Sequence, residues 1–322
     1  MTTEALPPGA GRMKKLNFLV SLITADNDYQ VEQAKAAENM AQRLGAGVQI
    51  IYAGNDAINQ SQQLLGVIQS AGPYPDAIIV EPVGGTGFPH VARAAVSAGL
   101  GWVVLNREAE YIPELRRTSR TPVFCVSSNH LETGRIQAQH LAAFVPKDGT
   151  ALYIQGPSTT SAARQRTLGM EQAKPAGVKL VYLKGNWTED SAYKAVCSWM
   201  KLSTSKKMPI DMVVAQNDDM AMGARKAFQD HADAEVRDKW LSAPFSGCDG
   251  LPKTGQAFVR SGLLAATVVL PPNTSVAMEI LAQSIQSGKQ PSDLVLTEPV
   301  SFPAIEELTV ATVARNTPVS VT

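Results

Sequence analysis

The feature that most constrains this chain is a repeated alternation, in which short apolar runs take turns with stretches of helical periodicity almost from end to end. The apolar runs fall at 16–24, 48–53, 76–81, 102–106, 122–127, 149–155, 178–184, 211–215, 242–247, 264–270 and 296–301. Helical stretches fall between them at 29–44, 56–71, 89–99, 131–144, 160–174, 189–203, 218–231, 251–261 and 273–288. A strand covered on both faces reads as a continuous apolar run, and strand-helix alternation is satisfied by parallel sheets with helices on both sides. The pattern predicts an α/β protein. Helix punctuation agrees, with Gly45 closing the first helix and "STTSAAR" offering N-caps to the fifth.

At 322 residues the chain exceeds one ordinary core and suits two lobes, the second beginning near residue 128. Lys plus Arg and Asp plus Glu both number 29, so no net field draws the chain to nucleic acid or to an anionic membrane. Cys125, Cys197 and Cys248 show no CxxC spacing, and His90, His130, His140 and His231 form no HxxxH or HExxH pattern. Neither a metal nor a cofactor is implied. No stretch is long and apolar enough to insert in a membrane. "MKKLNFLVSLITA" has the look of an export signal, but a polar leader precedes it, no small-x-small cleavage site follows, and it runs into the polar cluster "ADNDYQ" and a helix. It reads as the first buried strand, and residues 1–12 and those after Thr312 are expected to be loosely held.

In open parallel sheets ligands bind beyond the carboxyl ends of the strands, where strand order reverses. The informative stretch is "VVAQNDDMAMGARKAF", in which a strand emerges directly into Asn217, Asp218 and Asp219. Comparable polar residues follow other apolar runs: Asn27 and Tyr29, Asn106 and Arg107, and Asp249. Each sugar hydroxyl both donates and accepts, so amide, carboxylate and guanidinium groups satisfy it with fixed geometry. The carbon face of the ring needs a flat apolar plate, for which Tyr29 and Trp187 are the candidates. Arg164 and Arg166 lie about 200° apart around a helix, so only one can face a cleft. The plain alternative for any one Asn or Asp is a turn or helix cap, and for Trp187 core packing.

Four segments, "IQGPSTTSAARQRTLGM", "VVAQNDDMAMGA", "GCDGLP" and "GLLAATVVLPPN", resemble the ribose-binding protein family. These are the type I periplasmic sugar-binding proteins, whose fold is shared by the effector domains of LacI-type repressors. The resemblance runs from about Leu16 to Pro303. It implies two doubly wound parallel-sheet lobes joined by a three-strand hinge, one built from 13–127 plus 272–299 and the other from 128–271 plus 300–322. Crossings are implied near Ser127–His130, Leu270–Pro272 and Pro299–Ser301. Carried over by position, the resemblance implies sugar contacts from Asn27, Tyr29, Gln30, Asn106, Arg107, Arg166 rather than Arg164, Trp187, Asn217 and Asp249, with Asp218 mainly a helix cap.

Two departures stand out. Asn106 replaces the family's usual carboxylate, and Leu270 sits where a hinge Gln is common, which points to a more positive and more apolar pocket suited to an acidic or a deoxy sugar. Glu81 is a candidate to restore the missing charge. The resemblance further implies an exported, monomeric solute-binding component of an ABC sugar transporter that works with a permease. A sensor feeding a regulator or histidine kinase is the alternative, and a cytoplasmic homologue is left open by the absence of a convincing signal. An enzyme is disfavoured because no GxSxG elbow accompanies Cys125, and "VGGTGFPHVARAA" lacks the Walker lysine. Direct DNA binding is disfavoured because only fifteen residues precede the first strand, too few for a helix-turn-helix domain.

Overall fold

The computed structural model describes residues 15–72, 74–85, 88–205 and 208–308. The expectations for residues 1–12 and for those after Thr312 lie outside the described residues. Strands β1 (Asn17–Leu22), β2 (Gly47–Tyr52), β3 (Ala77–Val80), β4 (Gly101–Leu105) and β5 (Val123–Ser128) alternate with helices α1 (Asp28–Leu44), α2 (Ala57–Gln69), α3 (Pro89–Ser97) and α4 (Ile112–Thr118). After α5 (His130–Phe144), strands β6 (Thr150–Gln155), β7 (Lys179–Lys184), β8 (Met212–Ala215), β9 (Phe245–Asp249) and β10 (Ala266–Val269) follow. They alternate with α6 (Ser161–Ala173), α7 (Glu189–Met200), α8 (Asp218–Gln229), α9 (Ala234–Ser242) and α10 (Gly255–Arg260). Helix α11 (Asn273–Ser287) and strands β11 (Leu294–Thr297) and β12 (Val300–Phe302) complete the described chain.

The strands form two six-stranded sheets, ordered β11-β5-β4-β3-β1-β2 and β12-β10-β9-β8-β6-β7. Each β-strand sends alternate residues to opposite faces. Phe18, Val20 and Leu22 of β1 accordingly join a core beneath α1 and α11, while Leu19 joins a separate core beneath α2 and α3. In the second sheet Leu152 and Ile154 of β6 pack toward α7 and α8, while Ala151 and Tyr153 pack toward α5 and α6. Both faces are covered, which explains the continuous apolar runs in the sequence. Order reverses in each sheet on either side of its first strand, β1 or β6, and the carboxyl ends of both sheets face a common gap.

The chain passes between the sheets three times: after β5, after β10 and between β11 and β12. The apolar run at 296–301 is therefore not one strand. Residues on either side of Pro299 pair with different sheets, β11 parallel to β5 and β12 antiparallel to β10. Helices α4 and α9 are also additions to the sequence reading. Only Ile112 and Leu115 of α4, and only Trp240 of α9, are buried, so neither presents the apolar stripe by which a helix is recognised.

Helix α1 shows how local chemistry sets the site's edges. Asn27 adopts an extended conformation and its side chain accepts from Gln30 N, while Gly45 closes the helix at φ 62°. Thr160, within the "STTSAAR" segment, caps α6 in the same manner by accepting from Ala163 N.

Candidate ligand-binding site

Between the sheets lies a cavity with an empty volume of about 640 Å³, counted out to its mouth. From the first sheet's side Asn27, Tyr29, Gln30, Asn106 and Arg107 line it, and from the second sheet's side Arg166, Trp187, Asn217 and Asp249. Leu270 adjoins the second crossing and completes the set predicted from sequence. Arg164 is excluded as expected: it is exposed and donates to the Ser158 and Thr159 carbonyls. Arg166, two residues on, is buried.

The first wall is a connected polar network. Asn106 Nδ2 donates to Glu81 Oε2 at 3.2 Å and lies 3.5 Å from the Tyr29 hydroxyl, while its Oδ1 accepts from Asn273 Nδ2. An aspartate at 106 would set two carboxylates against each other here, and the amide turns that repulsion into a hydrogen bond. Arg107 Nη1 donates to the Asn106 carbonyl at 2.7 Å and stands 3.9 Å from Glu81 Oε1. Glu81 therefore places a carboxyl group beside the position where Asn106 lacks one, 3.9 Å from Arg107 Nη1. Gln30 Oε1 is engaged with Ile23 N at 2.9 Å.

The second wall centres on Arg166. Its Nη1 donates to the Gln216 carbonyl, its Nε to His130 Nδ1 at 3.4 Å, and its guanidinium lies 5.4 Å from the centroid of the Trp187 ring. Trp187 in turn lies over Gly156, where a Cβ would come within 2.3 Å of the indole, so a glycine is needed for this stacking. Asn217 works in two directions: its side chain caps α8 by accepting from Met220 N at 3.0 Å, and its Nδ2 donates to the Trp187 carbonyl at 2.9 Å.

The role expected for Asp218 is corrected by this geometry. Asn217 is the cap of α8, and Asp218 instead turns inward, accepting from Gly250 N at 2.8 Å and from Thr267 Oγ1 at 2.7 Å. Burial pushes its carboxyl up to about 7, against the two hydrogen bonds that favour the ionised form. Burial likewise holds Asp249 well above the usual carboxylate range, although the Arg166 charge opposes the shift.

His130 was not among the predicted site residues, yet it lines the cavity beside Arg166. It opens α5 just past the first crossing, and no strand-end pattern in the sequence distinguishes it from a structural histidine. Burial first, then the Arg166 and Arg107 charges, hold its ring well below the ordinary histidine value, so it is neutral. With Nδ1 assigned as acceptor for Arg166, Nε2 carries the proton. His130 Nε2, Arg107 Nε and Trp187 Nε1 are buried and have no partner among the described residues. Asn106, Trp187 and Asp249 also share a left-handed backbone, at φ 54°, 64° and 105°. Strained backbone of this sort concentrates where a side chain must be aimed.

The described residues also meet across the mouth of the gap. Asn27 Nδ2 donates to Asp219 Oδ2, Glu108 N donates to Ser161 Oγ at 3.0 Å, and Gln165 Nε2 donates to Glu108 Oε1. Among the described residues no group of His, Cys, Asp and Glu is arranged to hold a metal, and no helix is long and apolar enough to cross a membrane.

Two doubly wound sheets linked by three crossings, with a polar and aromatic cavity at their facing carboxyl ends, define a type I periplasmic binding protein fold. The family model described as a periplasmic binding protein domain matches residues 18–290, and the chain belongs to that family. It is similar to a putative rhizopine-binding protein of Rhizobium meliloti, with 30% identity over 217 residues that cover 65% of this chain and 66% of that protein, just under two thirds of its length. It is also similar to the ribose import binding protein RbsB of Salmonella typhimurium, with 26% identity over 293 residues, 89% of this chain and 92% of that protein. Among solved structures, an ABC transporter periplasmic solute-binding protein of Actinobacillus succinogenes with bound D-allose superposes with a TM-score of 0.77 at 21% identity, over 92% of this chain and 100% of that one.

Proposed function

We propose that this chain binds an uncharged sugar or cyclic polyol between its two lobes and delivers it, chemically unaltered, to the permease of an ABC importer. The observation that carries the reading is the set of uncommitted polar groups around one cavity: three buried N–H donors without partners among the described residues, joined in the lining by the Asp249 carboxyl group. A buried polar group left unpaired costs about 1–3 kcal/mol, and a ring of hydroxyls can satisfy donors and acceptors together. Tyr29, Trp187 and Leu270 provide the apolar surface for the carbon skeleton.

The charge balance favours a neutral ligand over an acidic one. Each guanidinium is partly engaged, Arg107 with Glu81 and a backbone carbonyl and Arg166 with His130 and another, and the donors left over, Arg107 Nε among them, suit hydroxyl oxygens. Catalysis has no support here: Cys125 is buried within β5, and burial pushes its thiol up to about 12. Membership in a family of periplasmic binding proteins supports export to the periplasm. Ligand would favour a closed arrangement because it touches residues carried by both sheets, a hinge motion about the three crossings.

A thermal-shift panel of D-ribose, D-allose, L-arabinose and myo-inositol against uronic acids and deoxy sugars tests this. A neutral member present at a hundred times its dissociation constant adds about 2.7 kcal/mol of stability. Stabilisation by uronic acids alone, or by no member of the panel, would overturn the reading.

A further inference from the structure

We propose that Asp218, which stands behind the cavity wall and does not line it, is the positioning residue that holds the Asp249 carboxylate toward the ligand. The inference rests on the sugar-binding reading for its consequence but on local geometry for its substance. Asp249 ends β9 at φ 105° and is followed by Gly250 at φ 60°, so two successive residues occupy backbone space that an aspartate rarely adopts. The Asp249 side chain makes no hydrogen bond to the described residues, so its direction depends strongly on its backbone. Leu270 N donates to the Asp249 carbonyl at 3.1 Å and Gln256 Nε2 to the Gly250 carbonyl at 2.9 Å, and the Asp218 carboxylate adds the hold on the amide side, one oxygen bound to Gly250 N at 2.8 Å and the other to Thr267 Oγ1 on the neighbouring strand at 2.7 Å.

The surroundings are shaped to admit this carboxylate. A Cβ at Gly247 would stand 2.1 Å from Asp218 Oδ1, and one at Gly255 would stand 2.1 Å from Oδ2. Strand β9 and helix α10 thus both forgo a side chain where Asp218 enters. Gly250 is equally constrained, since a Cβ there would lie 2.6 Å from Val269 Cα. A helix cap would need none of this; Asn217 already caps α8. The sign of the electrostatics separates positioning from charge. The Asp218 charge raises the Asp249 pKa, so removing that charge alone would favour ionised Asp249. Weaker binding after loss of Asp218 therefore reports lost geometry.

The experiment compares the wild type with Asp218→Asn, Asp249→Asn, the double variant and the milder Thr267→Val. In the ligand-free proteins, amide hydrogen exchange over 248–251 reads the clamp directly. Asp218→Asn is expected to raise exchange there about tenfold and Thr267→Val by less, as loss of a charge-assisted hydrogen bond implies. Exchange unchanged in both variants overturns the proposal. Calorimetric affinity for whichever of D-ribose, D-allose, L-arabinose or myo-inositol stabilises most then reads the consequence. Asp218→Asn should weaken binding about tenfold in the wild type and less than twofold in the Asp249→Asn background, because two residues acting through one contact are not additive. Fully additive losses overturn the positioning role even where Asp249→Asn itself weakens binding. If Asp249→Asn leaves affinity intact, the sugar-site reading fails at that residue, while the exchange result still decides whether Asp218 fixes the loop. Should Asp218→Asn not fold, Thr267→Val carries both measurements.

Discussion

Asn27 Nδ2 donates to Asp219 Oδ2 at 2.9 Å, joining residues 192 positions apart across the mouth of the ligand cavity. Each residue belongs to a helix start on a different side of the gap, Asn27 as the cap of α1 and Asp219 in the first turn of α8. The bond therefore exists only when the two sheets are close.

Closure is predicted to be pH-sensitive through this contact. Burial first, then the Asp28 and Glu189 charges, push Asp219 up to about 6, against the pull of the Asn27 bond. Opening the gap relieves the burial and removes Asp28, which sits on α1. A carboxyl whose pKa is raised in the closed state favours closure fully below its ordinary value near 4, and that contribution is lost as pH rises through about 6. Sugar affinity measured by calorimetry from pH 5 to 7.5 should fall several-fold more in the wild type than in Asp219→Asn, which keeps an acceptor for Asn27. Parallel pH profiles would remove the latch.

Loss of the stacked pair should weaken binding strongly. Trp187→Ala and Arg166→Ala are each expected to cost at least about 2 kcal/mol of affinity, the range of desolvated anchors. Because the guanidinium lies over the indole, the double variant should lose less than the sum of the two. Unchanged calorimetric affinity in both single variants would dismiss the site.

His140 should contribute acid sensitivity to folding. Its Nδ1 meets Ser246 Oγ at 2.7 Å and its Nε2 meets Ser301 Oγ at 2.9 Å, tying β9 to β12 after the third crossing. Burial lowers its pKa to about 3. A histidine held neutral in the fold is charged when unfolded below about 6.5, so stability falls as pH drops from there toward 3. At pH 5 this contribution is worth about 2 kcal/mol relative to pH 7.5, and it is read as the difference between the urea-unfolding pH profiles of the wild type and His140→Asn, since His130, Asp218, Asp219 and Asp249 act in both.

The contact between α5 and α6 should tolerate no added carbon. A Cβ on Gly134 would lie 2.1 Å from the Arg166 carbonyl oxygen, and one on Gly169 would lie 2.0 Å from that of Leu131. Gly169→Ala is expected to cost about 2–3 kcal/mol in chemical denaturation. Gly134→Ala should in addition weaken sugar binding, since it displaces the backbone that carries Arg166.

Much of this architecture is legible along the chain, because strands buried on both faces write unbroken apolar runs and the parallel strands all end at the same side of their sheet. The cavity residues were accessible for that reason: Asn27, Asn106, Asn217 and Asp249 all follow such runs. Asp218 was not, since its partners Gly250 and Thr267 and its two glycine gaps arise from segments that meet only in space. His130 was missed because its site character depends on Arg166, 36 positions away. The split at Pro299 falls where the family resemblance implies a crossing, and Glu298 and Pro299 already interrupt the strand reading of 296–301 there.

The path of the last crossings bears on how the protein is made. The core beneath α1 includes Ala277, Met278, Leu281 and Ala282 of α11, and β5 has no neighbour on its outer side until Leu294–Thr297 arrive. A ribosome must therefore deliver the chain as far as β11 before the first sheet can finish folding, and until then an apolar strand edge is open to mispairing. Fragments ending before residue 273 lack both pieces and leave that core and that edge incomplete.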